Sequence, residues 1–182
     1  DSFSDGGDFF NIKNALIQTK KLVLSGIDIL DIGAQSTRPG ADNISSKEEI
    51  KRLLPALIEI RKNFPELIIS TDTFRSEVAY EALNNGANWI NDVSGGRMDK
   101  SILDVVAEFD CPYVITHSKG DSKTMDKLSF YDDLMEEIIY SLKELTETAI
   151  NKKISKDKII WDPGLGFAKN NDHNIFILKN LD

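Results

Sequence analysis

Short apolar runs rich in β-branched residues alternate along this chain with longer stretches whose hydrophobic positions recur every three or four residues. The first long stretch, 11–24, puts Ile12, Ala15, Leu16, Thr19, Leu22 and Val23 on one face and then meets Gly26, which suits the left-handed stop of a helix. The run 27–32 is short, apolar and β-branched, as a strand covered on both faces requires. Ser46 and Glu49 have the spacing of a capping box, and Ile50, Leu53, Leu54, Leu57 and Ile58 carry an amphipathic stripe onward from it. Pro55 removes one backbone donor inside that stripe and predicts a kink. Beyond it the pattern predicts strands over 67–71, 88–92, 113–116 and 158–161, helices over 75–85, 100–109 and 130–152, and a last helix from Asn171.

Regular alternation of strand and helix implies right-handed parallel crossovers, which build either a doubly wound sheet or a β/α barrel. A nucleotide-binding doubly wound sheet usually carries a Gly-rich turn after an early strand, and neither G-x-G-x-x-G nor a Walker pattern is present. The expected fold is therefore α/β, a parallel (β/α)8 TIM barrel with about five of its strands in this chain. The chain opens on Asp1 without a methionine and stops at Asp182 just after a helical pattern. Residues 1–182 are accordingly expected to form one barrel domain truncated at both ends.

Composition narrows the partners. With 182 residues, 41% of them hydrophobic, the chain can bury a sizeable core. A formal net charge of −8 and the lack of a basic stripe argue against nucleic acid. No apolar run approaches the length of roughly 18 to 20 residues that spans a bilayer, so no membrane partner is expected. A lone cysteine, Cys111, cannot form a disulfide within the chain, and a buried thiol in a reducing, cytoplasmic setting fits it. Only two histidines, His117 and His173, are available, which leaves little material for a zinc site.

The candidate chemistry lies where the strands end. Asp31-Ile32-Gly33, Thr71-Asp72-Thr73, Asn91-Asp92-Val93-Ser94-Gly95, Thr116-His117-Ser118-Lys119-Gly120 and Asp162-Pro163-Gly164 each lead a strand into a polar loop. Polar groups at the same end of successive parallel strands converge on one pocket. The loop Ser36-Thr37-Arg38-Pro39-Gly40 offers a rigid guanidinium fork to an anion, or else a turn in which Arg38 pairs with a nearby acid. Asp72 can accept two N–H groups from a heterocycle, or can cap the helix that follows. Asn91 and Asp92 must face opposite ways in a regular strand, and Asn91 is the inward choice because its amide both donates and accepts. The two can equally satisfy loop backbone before Gly95. In the loop 162–169 the glycines allow close backbone approach and Phe167 can form an apolar wall, or return to the core of a simple Pro-Gly turn. His117 suits a hydrogen-bonded structural role better than that of a base. Asp1, Ser2, Ser4 and Asp5, ahead of Gly6-Gly7, form a polar segment that either closes over a ligand or is a turn.

Taken in order, Asp1-Ser-Phe-Ser-Asp-Gly-Gly7, Asp31 through Ala41, Asp72-Thr-Phe74, Asn91-Asp-Val-Ser-Gly95, His117 with Gly120, and Asp162-Pro-Gly-Leu-Gly-Phe167 make the chain closely resemble the dihydropteroate synthase family over essentially its whole length. The resemblance implies an eight-stranded barrel enzyme of folate synthesis. Such an enzyme condenses 6-hydroxymethyl-7,8-dihydropterin diphosphate with 4-aminobenzoate to give 7,8-dihydropteroate and pyrophosphate, and sulfonamides compete for its aminobenzoate site. Carried over by motif, Asp72, Asn91 and Asp162 would hold the pterin, and Thr37, Arg38, Pro39 and Phe167 would line the aminobenzoate site. Asp72, Asp162 and Arg38 would be the catalytic group, and Asp1, Ser2 and Asp5 would belong to a mobile loop. Mg²⁺ is the implied cofactor, with the family's metal-binding Asn upstream of Asp1, and a homodimer is the implied assembly. Thr116 and Ser118 flank His117 where family members usually carry Met. Two other readings compete: a pterin-binding, corrinoid-dependent methyltransferase, which the Ser-Thr-Arg-Pro loop argues against, and a non-catalytic pterin-binding paralogue.

Overall fold

A computed structural model describes residues 12–35, 44–120 and 124–181 of the chain. Five strands, β1 (Ile29–Ile32), β2 (Ile68–Asp72), β3 (Trp89–Asp92), β4 (Tyr113–Thr116) and β5 (Ile159–Asp162), alternate with the helices α1 (Ile12–Leu24), α2 (Ser46–Asn63), α3 (Ser76–Asn84), α4 (Ser101–Phe109), α5 (Leu134–Asn151) and α6 (Asn171–Leu178). All pairings are parallel and the strand order is β1-β2-β3-β4-β5. Each new strand is added beside its predecessor, with none of the order reversal that defines a doubly wound sheet. The sheet is the five-stranded arc of a parallel β/α barrel.

The register sorts side chains onto two faces, because residues paired across parallel strands point the same way and neighbours along a strand point oppositely. Thr71, Ile90 and Tyr113 share one row, and with Leu30, Ile69 and Ile115 they lie buried under the helices. The opposite face carries Asp31 paired with Ser70, Asp72 paired with Asn91, and Thr116 paired with Asp162. Core packing therefore uses one face of each strand and leaves the other for polar groups.

Helix ends follow their caps. Ser45, and not Ser46, is the N-cap of α2; its side chain accepts from the Glu48 N–H at 3.2 Å. The expected capping box fails because Glu49 has a stronger demand on it. Fully buried, its carboxylate accepts from the Thr73 hydroxyl at 2.8 Å and pairs with the Arg75 guanidinium. The helix continues through Pro55 to Asn63. α5 starts at Leu134, four residues later than its hydrophobic pattern suggests, because Asp133 accepts from the Glu136 N–H at 3.0 Å and fixes the cap there. Two short 3₁₀ turns, Met125–Leu128 and Lys156–Lys158, have no counterpart in the periodicity. Cys111 is buried, which pushes its thiol up to about 11. Among the described residues no helix is long and apolar enough to cross a membrane.

Candidate active site

At the carboxyl ends of the strands, the inner face of the arc gathers carboxylates and an amide. Asp72 and Asn91 are direct register partners on β2 and β3, and Asp31 stands one row deeper on β1. Asn91 Nδ2 donates to Asp31 Oδ2 at 3.0 Å, which fixes the amide so that Oδ1 points elsewhere. That Oδ1 is buried and, among the described residues, has no hydrogen-bond partner. Alternation allowed only one of Asn91 and Asp92 to face inward, and the register makes it Asn91, the choice its amide favoured; Asp92 faces the helices instead. It accepts from the Tyr113 hydroxyl and from the Ser94 and Gly96 N–H groups, each at 2.7 Å, so it takes over the loop-satisfying role.

Asp72 is free of the capping task. Thr73 Oγ1 accepts from the Arg75 N–H at 3.3 Å, and the Ser76 N–H donates to Asp99 Oδ2 at 2.7 Å, so the entry of α3 is served without Asp72. Among the described residues none donates a hydrogen bond to the Asp72 carboxylate. Burial, and after it the negative charges of Asp31, Glu49 and Asp92, hold its pKa well above the ordinary aspartate range. Gly33 lets the β1 loop pack closely beside it, since a Cβ there would stand 3.1 Å from both the Asp72 Cβ and its carbonyl oxygen. Asp31 keeps solvent access on one side, yet crowding by the sheet lifts its carboxyl, and hydrogen bonds from Ser70 and Asn91 offset part of that rise.

On the far side of the arc Asp162 pairs in register with Thr116, on the same face as Asp72 and Asn91 and one row nearer the mouth. Its Oδ1 accepts from the Gly164 N–H at 2.7 Å. Thr116 is buried, and among the described residues its hydroxyl is unpartnered. Phe167, half-buried, donates its N–H to the Gly164 carbonyl at 3.0 Å. Arg97 bridges the loops after β3 and β4: its guanidinium donates to Ser118 Oγ at 2.7 Å, and that hydroxyl donates to the Val93 carbonyl at 2.9 Å.

His117 is structural in its contacts. Its backbone N–H donates to the Asp162 carbonyl at 2.9 Å, and its Nδ1 lies 2.9 Å from the Lys169 ammonium. Burial and the positive charge of Lys169 push the imidazole down to about 3, so it is neutral in physiological solution. His173 is spent on capping α6, where it and Asn170 bond reciprocally. Sequence reasoning missed the burial of Lys169, since nothing about a lone lysine after Phe-Ala distinguishes it from a solvated one. Thr37, Arg38 and Pro39, with Asp1, Ser2 and Asp5, lie outside the described residues. Among the described residues no three His, Cys, Asp or Glu side chains cluster as a metal site would need.

Two acceptors that no described residue serves, the Asp72 carboxylate and Asn91 Oδ1, side by side on one face, suit a flat ligand that presents several N–H donors along one edge. A model of the pterin binding enzyme family matches residues 1–182. The chain is 41% identical over 181 residues to the dihydropteroate synthase of Synechocystis, covering all of this chain and 62% of that protein. It is 45% identical over 185 residues to a folate synthesis bifunctional protein of Arabidopsis thaliana, covering 100% of the chain and 38% of the relative. The crystal structure of the Yersinia pestis dihydropteroate synthase in a sulfonamide drug complex superposes with a TM-score of 0.95 at 35% identity, over 100% of this chain and 65% of that one. A Xanthomonas albilineans dihydropteroate synthase with 4-aminobenzoic acid gives 0.87 at 36% identity, over 98% of this chain and 63% of its own. The chain thus spans less than two thirds of each of these relatives.

Proposed function

The chain belongs to the pterin binding enzyme family, and from that premise we propose that the protein carrying it is a dihydropteroate synthase. It joins 6-hydroxymethyl-7,8-dihydropterin diphosphate to 4-aminobenzoate and releases 7,8-dihydropteroate and pyrophosphate. The observation that carries this reading is the pair of acceptors, Asp72 and Asn91, that no described residue serves, in register on one face, with Asp162 rising from the same face three strands beyond Asp72. A pterin edge presents the amino and ring N–H donors that these oxygens lack.

In the reaction the bond between the pterin methylene carbon and the diphosphate oxygen breaks, and its electron pair leaves with pyrophosphate. Positive charge then develops on the methylene and spreads into the ring. Asp72, which burial holds above the ordinary range, takes up the ring's N–H donors and becomes better stabilised as an anion by the cation it faces. Asp162, oriented by the Gly164 N–H, serves the same developing charge from the opposite wall. The arylamine nitrogen donates its lone pair to the methylene and gives up a proton to the departing pyrophosphate or to water, while Phe167 supplies an apolar surface for its ring. The sequence loop with Thr37, Arg38 and Pro39 completes the aminobenzoate side in this reading, and Arg38 meets the anion. Mg²⁺ would assist diphosphate departure; the described residues offer no ligand cluster for it, and no step here is routed through the ion. Homodimeric assembly and a cytoplasmic setting belong to the same proposal and rest on the resemblance.

The test is a condensation assay on the full-length protein, with and without Mg²⁺. Dihydropteroate formed from the two named substrates is the expected result. Methyl transfer from a folate to a corrinoid partner, without use of aminobenzoate, would move the assignment to the related methyltransferases. Pterin binding without any turnover would make it a binding paralogue.

A further inference from the structure

The loop after β5 is tied back to the barrel wall by a buried ion. Lys169 is 8% exposed, and its ammonium lies 2.9 Å from His117 Nδ1, 3.0 Å from the Phe167 carbonyl, 3.1 Å from the Gly164 carbonyl and 3.3 Å from the His117 carbonyl. Removing an ammonium from water is costly, and an apolar side chain of similar reach would fill the same space without that cost. What the ion adds is geometry. Its three protons draw carbonyls from two separate segments, the end of β4 and the loop that follows β5, to one point.

Other contacts make the tie specific. A Cβ on Gly164 would sit 2.0 Å from the His117 carbonyl oxygen, so the loop approaches the wall as closely as a bare backbone permits. The Gly164 N–H in turn orients the Asp162 carboxylate, and the Tyr131 hydroxyl donates to the Ala168 carbonyl at 3.0 Å. The charged groups nearby are already engaged: Lys119 donates to Glu137 at 2.6 Å and stacks over the Tyr131 ring. Burial lowers the Lys169 ammonium to about 8, and burial together with that charge keeps His117 neutral, so Nδ1 can offer its lone pair to the ammonium.

Resting on the condensation reading above, we propose that Lys169 is a positioning residue of that reaction. Its buried ammonium holds the loop 163–168 against His117 and so sets the Phe167 wall against which the arylamine substrate lies. The side chain touches no reacting atom. Its effect should fall on capture of the second substrate more than on bond making.

Lys169→Met in the full-length protein is expected to raise KM for 4-aminobenzoate about tenfold while kcat at saturation stays within about threefold, the signature of lost binding common to ground and transition states. Amide hydrogen exchange at Gly164, Leu165 and Gly166 should quicken about tenfold or more, with Ile115 and Ile160 unaltered. Tyr131→Phe removes the hydroxyl that holds the Ala168 carbonyl of the same loop and should give the same KM-against-kcat split in smaller measure, so the assignment stays testable if the first variant folds poorly. Unchanged KM and exchange in Lys169→Met would overturn it. So would exchange that quickens equally through β4 and β5, because Lys169 would then be a general stabiliser. A wild-type protein that makes no dihydropteroate would sink the condensation reading instead, and the exchange pattern would still decide whether Lys169 holds the loop.

Discussion

Asp72 answers to two demands that conflict. A carboxylate that no described residue serves, crowded by Asp31, Glu49 and Asp92, is a poor way to stabilise a fold and a good way to receive a ligand that brings N–H donors. With its folded pKa above its unfolded value of about 4, the native state binds more protons than the unfolded chain across that interval, so stability from this site is full below pH 4 or so and declines as pH rises toward the folded value. Asp72→Asn removes the ionisation. Its melting temperature should exceed that of the wild type at pH 7, and the gain should vanish below about pH 4. The same change should weaken pterin binding by about 1.5 to 3 kcal/mol, measured by calorimetry, as expected for charge-assisted hydrogen bonds. Equal pterin affinity would take Asp72 out of the site. That Asn91 and Asp92 face opposite ways was legible from alternation, and amide chemistry favoured Asn91 inward, whereas the Oδ1 left without a donor among the described residues was not legible, because it depends on Asp31 claiming the other end of the amide.

At the scale of elements, backbone acceptors near the amino ends of the strands are collected by one side chain of α2. The Arg61 guanidinium donates to the carbonyls of Pro65, Leu67 and Gly86 at 2.7–2.9 Å and to Asn88 Oδ1 at 2.6 Å. A planar fork matches this spread of acceptors, which an ammonium could not reach together. Arg61→Met should lower the unfolding free energy by about 2 kcal/mol in urea, because carbonyls are left unpaired. It should leave pterin affinity alone, because these residues sit at the opposite end of the strands from Asp72; a large loss of affinity would mean that the two ends are coupled. Element types were readable in advance from periodicity, and their ends were not. Ser45 against Ser46 and Asp133 against the earlier apolar residues were decided by which side chain reached a helix N–H, and Glu49 was drawn from its expected cap by Thr73 and Arg75 on other elements.

For the whole molecule, β1 and β5 stand at the two margins of the sheet, each with one hydrogen-bonded neighbour among the described residues. Unpaired strand margins are templates for association. Residues 1–182 produced alone should therefore self-associate in light scattering, and a monodisperse monomer would show that other contacts cover the margins. The succession of apolar β-branched runs and amphipathic stripes determined a parallel α/β architecture, because the periods of 2 and 3.6 are written directly into residue order. The loop motifs determined the family, since a ligand mouth needs its acids, amide and glycines at strand ends. Tertiary structure alone decided which Asn91 oxygen is left without a donor among the described residues, how high the Asp72 carboxyl is pushed, and that Lys169 is buried as a tie between two loops. Each of these is set by neighbours distant in sequence, through desolvation and competition for hydrogen bonds, and neither quantity exists until the chain has folded.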